Sequence, residues 1–317
     1  MTSPPMTEGA SMTALPDLFP GFATRRFKTR GAEIHARIGG SGPPLVLLHG
    51  YPQTHVCWHR IAPELAKHVT LILPDLRGYG ESSAPPGGAS AGDPDHQVYS
   101  KRAMALDVID MMRELGHDRF MLGGHDRGAR VAYRLALDHP TAVSRLIILD
   151  ILPTRDAWLV INGMKAYHWY FLAQPAPLPE TLISADPAFY VEKTLASWAM
   201  TGTLDTFAPA ALMHYRAALA NPERVHAVCE DYRAGATCDV AADNHDHAVS
   251  NIIACPTQVL WGSEYVGKGS VPPLYVWNGW CSNLVGKEIR SGHFLAEENP
   301  SATLAAMLPF VTAAGAT

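Results

Sequence analysis

A chain of 317 residues, 47% of them hydrophobic, is long enough for one large core or a core with an inserted second layer. A formal net charge of -5, with no basic stripe and no long charge run, excludes the footprint of a nucleic-acid binder and of a solvating tail. Cys57, Cys229, Cys238, Cys255 and Cys281 form no Cys-x-x-Cys pair and no zinc spacing, so they read as reduced thiols in a cytoplasmic protein.

Residues 1–18 are small, polar and Pro-containing, and read as a poorly ordered tail. Met1 to Pro20 has no continuous apolar stretch of the signal-peptide kind, and no apolar run approaches a membrane span. Arg25 to Arg37 alternates like a strand pair turning at Gly31. Leu45–Leu48 is a short buried strand ending in His49-Gly50-Tyr51-Pro52, and Trp58 to Lys67 is a helix candidate. Val69 to Leu73 is a second buried strand, ending in Asp75-Leu76-Arg77-Gly78, and residues 84–98 read as a surface loop. Lys101 to Leu115 is amphipathic and stops at Gly116. Two further strands follow: Arg119 to Leu122, and Val143 to Leu149 ending at Asp150. The strands alternate with helices, as in a mostly parallel sheet flanked by helices, where reactive groups sit past the carboxyl ends of the strands. Residues 151–246 have helical stretches and no clear strand, and read as a helical cap; 19–150 and 247–317 form the core that carries it. Strands resume at Pro256 to Gly262 and Val285 to Ile289; the last leads to Ser291-Gly292-His293-Phe294 and a closing helix from Glu297 to Phe310.

The chain is organised around Gly124-His125-Asp126-Arg127-Gly128, set between an apolar strand and a helix. Small residues two before and two after a central side chain are what a nucleophile elbow requires, and here that side chain is Asp126. Taken alone the pentapeptide reads better as a helix N-cap; the flanking strand and helix reverse that. A carboxylate at a helix N-terminus is a competent nucleophile toward carbon, forming an ester.

Asp126, Asp150 and His293 each follow a predicted strand, in the order nucleophile, acid, histidine. From about residue 20 onward the chain resembles the α/β-hydrolases, and an Asp nucleophile resembles their haloalkane dehalogenase and epoxide hydrolase branches. In that chemistry His293 activates the water that hydrolyses the ester. Glu264, after the next strand, is a rival to Asp150 as the acid, which the plainer strand before Asp150 favours. His49-Gly50-Tyr51-Pro52 resembles the family's oxyanion loop, which implies charge stabilisation by the backbone N–H groups of Tyr51 and Arg127. Asp75 and Arg77 read as a structural network beneath the site.

Arg127 stands where epoxide hydrolases typically have Trp, and Arg130 lies three residues on; two guanidiniums there suit a small carboxylate. Tyr167-His168-Trp169-Tyr170 and Glu230-Asp231-Tyr232-Arg233-Ala234-Gly235, with the elbow and oxyanion motifs, closely resemble fluoroacetate dehalogenases. That resemblance implies that His168, Trp169 and Tyr232 donate hydrogen bonds to the departing halide, which replace the hydration fluoride loses. By composition alone Trp169 and Tyr232 would be core aromatics. The resemblance further implies a haloacid substrate, fluoroacetate foremost, no cofactor or metal, and a homodimer. An epoxide hydrolase using Tyr170, Tyr215 and Tyr232 as acids is the nearest alternative, and a non-catalytic ligand-binding hydrolase fold the next.

Overall fold

The computed structural model describes residues 14–313. Eight strands form one sheet in the order β1-β2-β4-β3-β5-β6-β7-β8, with β1 Ala23–Lys28, β2 Glu33–Gly40, β3 Pro44–Leu48, β4 Thr70–Pro74, β5 Phe120–His125, β6 Val143–Leu149, β7 Thr257–Gly262 and β8 Leu284–Ile289. β1 and β2 are antiparallel to their neighbours, and the remaining pairs are parallel. The central strands are continuous apolar runs because helices cover both faces: Leu45 to Leu48 and Leu146 to Leu149 are buried throughout. β1 buries only Phe27, as befits an edge.

The amphipathic helix expected after Ser100 spans Lys101–Glu114, with the Ser100 hydroxyl capping the Ala103 N–H. It stops at Gly116 in the left-handed region at φ 83°, where the His117 N–H bonds back to Met112 O at 2.9 Å. Two other helices differ from expectation, each at a proline. The stretch from Trp58 to Lys67 is a 3-10 turn, His55–Trp58, and a single α turn, Ala62–Leu65, because Pro63 supplies no N–H and restricts Ala62 before it. The closing helix is broken into Leu295–Glu298 and Pro300–Thr312; Asn299 caps the second at the Ala302 N–H, with Pro300 at its first turn.

Between β6 and β7 the described chain forms seven helices: Thr154–Val160, Tyr167–Leu172, Leu178–Ala185, Pro187–Trp198, Pro209–Leu219, Pro222–Ala236 and Cys238–Ala248. Residues 84–98 are not a plain surface loop. They carry two 3-10 turns and pack on helix Pro222–Ala236, with His96 Nδ1 2.7 Å from Glu230 and His226 Nε2 3.2 Å from Gly87 O. Of the expected tail, residues 1–13 lie outside the described residues. Its end is fastened: Asp17 pairs with Arg37 at 2.7 Å, and Pro16 O lies 2.8 Å from His214 Nε2. Among the described residues no helix is long and apolar enough to cross a membrane.

Candidate active site

β5 runs into helix Asp126–Asp138 through the elbow. Asp126 sits at φ 47°, a left-handed conformation costly for a residue with a side chain and held here by close packing on both sides. A Cβ on Gly128 would lie 2.3 Å from His49 O, and one on Gly124 would lie 2.5 Å from Ala129 N, so both positions exclude any side chain. Asp126 Oδ1 accepts the Tyr51 N–H at 2.9 Å. Asp126 Oδ2 lies 3.6 Å from His293 Nε2, too long for a hydrogen bond and wide enough to leave both atoms available.

The second carboxylate comes from the end of β6. Asp150, also left-handed at φ 55°, approaches His293 Nδ1 at 2.6 Å through Oδ2 and accepts the Gly262 N–H at 2.8 Å through Oδ1. His293 is enclosed by the rings of Tyr265 at 4.3 Å, His125 at 4.5 Å and Trp198 at 5.5 Å. Burial works against charge on the His293 ring, but the carboxylates of Asp126 and Asp150 outweigh it and raise its pKa to about 9. Burial likewise opposes ionisation of Asp126, yet His293, His125 and Arg127 hold it far below the usual carboxylate range. Glu264 is half exposed and ion-paired with Lys268, which leaves Asp150 as the carboxylate on His293.

Both elbow arginines are buried, and each keeps a guanidinium nitrogen without a protein partner. Arg127 grips Asp231 through Nε at 3.0 Å and Nη2 at 2.6 Å, leaving Nη1 free. Arg130 donates Nη1 to Thr154 Oγ1 at 3.0 Å and Leu152 O at 3.2 Å, leaving Nε free. Arg127 stacks 4.3 Å over the Tyr232 ring and Arg130 4.6 Å over the Trp169 ring, so the helical segment supplies the aromatic wall facing both cations.

His168 and Trp169 on helix Tyr167–Leu172 meet Tyr232 on helix Pro222–Ala236, with ring centroids 5.7 Å and 6.4 Å from it. Tyr232 Oη and His168 Nδ1 are buried and unpartnered. Burial drives His168 down to about 3, so its ring is neutral and carries one N–H; burial and Asp126 drive Tyr232 well up, so its hydroxyl keeps its proton. Buried polar hydrogens without partners are costly unless something polar is to occupy the space they face.

A family described as "alpha/beta hydrolase fold" matches residues 43–300. The chain belongs to the α/β-hydrolase family. This hydrolase is 41% identical to a fluoroacetate dehalogenase of Burkholderia sp over 93% of its own length and 95% of the relative's. It is 30% identical to a soluble epoxide hydrolase of Corynebacterium sp. (strain C12) over 88% and 94%. A solved structure from Nostoc sp PCC 7120, provisionally described as an alpha/beta hydrolase, superposes with a TM-score of 0.87 at 44% identity over 92% and 98% of the two chains.

Sequence reasoning thus named side chains that the fold brings together: Asp126, Asp150, His293, Arg127, Arg130, His168, Trp169, Tyr232 and the Tyr51 backbone. The other tyrosines of the epoxide alternative are elsewhere. Tyr170 is 45% exposed and packs on Trp158, and the Tyr215 hydroxyl is spent on Glu297 at 2.9 Å. The structural reading of Asp75 and Arg77 holds with different partners: Asp75 takes His55 and His35, while Arg77 pairs with Asp107 at 2.6 Å. His35, His55 and Asp75 lie close enough for a metal, but both Nδ1 atoms are engaged with the Asp75 carboxylate.

Three side chains of the hydrolase went unread. Trp198 lies against His168 in a tilted ring contact at 4.4 Å and accepts the His293 backbone N–H through its carbonyl at 2.9 Å, a tertiary contact with no local signature. His125 lies 2.8 Å from His293 O through Nε2, and burial beside His293 keeps it neutral at about 3. Asp231 did leave a signal: a buried arginine needs an acid, and one stands beside Tyr232.

Proposed function

We propose that this hydrolase cleaves the carbon–halogen bond of a small haloacid, with fluoroacetate giving glycolate and fluoride as the leading case. The observation that carries the reading is the ring of unpartnered donors about Asp126: Nη1 of Arg127, Nε of Arg130, and the polar hydrogens of His168 and Tyr232, with Trp169 alongside. A carboxylate satisfies the first pair and a departing halide the second group.

The chemistry follows from the two oxygens of Asp126. Oδ1 is held by the Tyr51 N–H, so Oδ2 attacks the α-carbon from the side opposite the halogen. The C–F bond breaks with its electron pair leaving on fluoride, and an ester links Oδ2 to the substrate carbon. Esterification removes the Asp126 charge, one of the two carboxylates that keep His293 protonated. The His293 proton passes to solvent, and Nε2 can then take a proton from water as that water adds to Asp126 Cγ. The negative charge collects on Oδ1, already at the Tyr51 N–H, with the Arg127 N–H at the open helix end as the second donor. Collapse delivers that proton to the glycolate oxygen, and the second water proton, left on the new carboxyl, passes to His293, which restores the Asp126 carboxylate and the protonated ring. The sum is fluoroacetate and water giving glycolate, fluoride and a proton.

Epoxide hydrolysis by the same nucleophile is the second reading, supported by the Corynebacterium relative and by the free hydroxyl of Tyr232. It leaves the two free guanidinium nitrogens with nothing to bind. Fluoride-electrode measurements with fluoroacetate separate the two: steady fluoride release is expected, and no release alongside turnover of a small epoxide overturns the haloacid reading.

A further inference from the structure

The two elbow arginines differ in how their charge is balanced. Arg127 faces Asp231, and Asp231 also takes Lys101 Nζ on Oδ1 and the Tyr79 hydroxyl at 2.7 Å on Oδ2. Lys101 in turn lies 3.5 Å from Asp239 and donates its backbone N–H to it at 2.8 Å. Two cations and two anions therefore close a balanced, buried set. Arg127 and Lys101 come from the sheet domain, and Asp231 and Asp239 from the helices above it. Arg130 has no such partner. It touches a carbonyl and the Thr154 hydroxyl, and among the described residues no carboxylate lies within salt-bridge distance of it. Burial pushes its pKa down and is only partly offset by Tyr133 and Asp126, whereas Asp231 carries that of Arg127 up against its burial.

We propose that these arginines divide the recognition of the substrate. Asp231 is a positioning residue that neutralises Arg127 and fixes the plane of its fork, and Arg130 holds the unbalanced charge that makes the site select an anion. Three of the four donor groups converging on Asp231 and its carbonyl come from Arg127 and Tyr79, so the contact that seats the helical segment on the sheet domain also orients the fork. This division rests on the haloacid reading above.

The test compares fluoroacetate with its uncharged isostere fluoroacetamide by fluoride release, and measures acetate binding by calorimetry. Asp231→Asn adds net positive charge, so a site governed by charge alone would bind acetate more tightly. The division predicts the reverse: acetate affinity and the KM for fluoroacetate each weaken about tenfold or more through misalignment. Tyr79→Phe keeps the Asp231 charge and removes one hydrogen bond, and serves if Asp231→Asn does not fold; a rise of a few fold in KM with kcat nearly kept is expected. Arg130→Met should cut the preference for fluoroacetate over fluoroacetamide about 100-fold, with Arg130→Lys restoring most of it. The division is overturned if Asp231→Asn and Tyr79→Phe bind acetate as the wild type does or better, or if Arg130→Met keeps the preference. A wild type that binds acetate and releases no fluoride overturns the haloacid reading instead, and acetate affinities of the same variants still decide the division. A wild type that does neither overturns both.

Discussion

Asp126 and His293 meet through one pair of atoms, Oδ2 and Nε2 at 3.6 Å, while the other carboxylate oxygen of Asp126 is already tied to the Tyr51 N–H at 2.9 Å. The two oxygens are therefore not equivalent, and the proposed reaction assigns each a separate role. The attacking oxygen becomes the ester oxygen, and the tied one becomes the carbonyl whose charge must be stabilised.

If His293 serves the second step, its removal should spare the first. His293→Ala is expected to release about one equivalent of fluoride per active site and then stall, with the Asp126 peptide heavier by the glycolyl group in mass spectrometry. Loss of the fluoride burst as well as turnover would place His293 in the first step.

The pH dependence of the two steps should differ. Asp126 is ionised throughout the usable range, so kcat/KM should show no acid limb from it. Hydrolysis needs neutral His293, and its pKa in the ester should fall below the value of about 9 in the free protein, because Asp126 has lost its charge. The limb in kcat is expected to appear well below pH 9 when hydrolysis limits, read by steady-state fluoride release against burst kinetics.

The same group links pH to stability. The folded pKa of His293 is raised above its ordinary 6.5, so its contribution is fully present below that value and is lost as pH rises toward about 9. The loss is on the order of 1–3 kcal/mol by linkage. Asp126→Asn removes one of the two supporting carboxylates and should move the loss to lower pH, seen in urea denaturation at pH 6, 7.5 and 9.

Tyr232→Phe deletes one of the proposed halide donors and leaves the ring over Arg127. Fluoride depends most on that hydration, so the variant should lose about 100-fold in kcat on fluoroacetate and far less on chloroacetate or bromoacetate. An equal loss on all three would make Tyr232 a packing residue.

Much of the fold was legible because the central strands are unmixed apolar runs and their ends carry the chemistry. The elbow was legible because Gly124 and Gly128 are there for lack of space, a constraint that local sequence records. Legibility failed where the deciding contact is distant in the chain. Trp198 reaches His293 from a helix end 95 positions away with no local pattern, and Asp231 reaches Arg127 across 104 positions, with its place beside Tyr232 as its one trace. Hydrophobic periodicity runs on through Pro63 and Pro300, so it conceals the short helix at Ala62–Leu65 and the break at Asn299 in the closing helix.

The central claim is covalent attack by Asp126, and a single turnover of fluoroacetate in heavy-oxygen water tests it most directly. With enzyme in excess, the expected result is one heavy oxygen on the peptide bearing Asp126, one fluoride per substrate, and glycolate whose new hydroxyl oxygen is light. Heavy glycolate with an unlabelled Asp126 would contradict it, since water would then have attacked the substrate carbon directly.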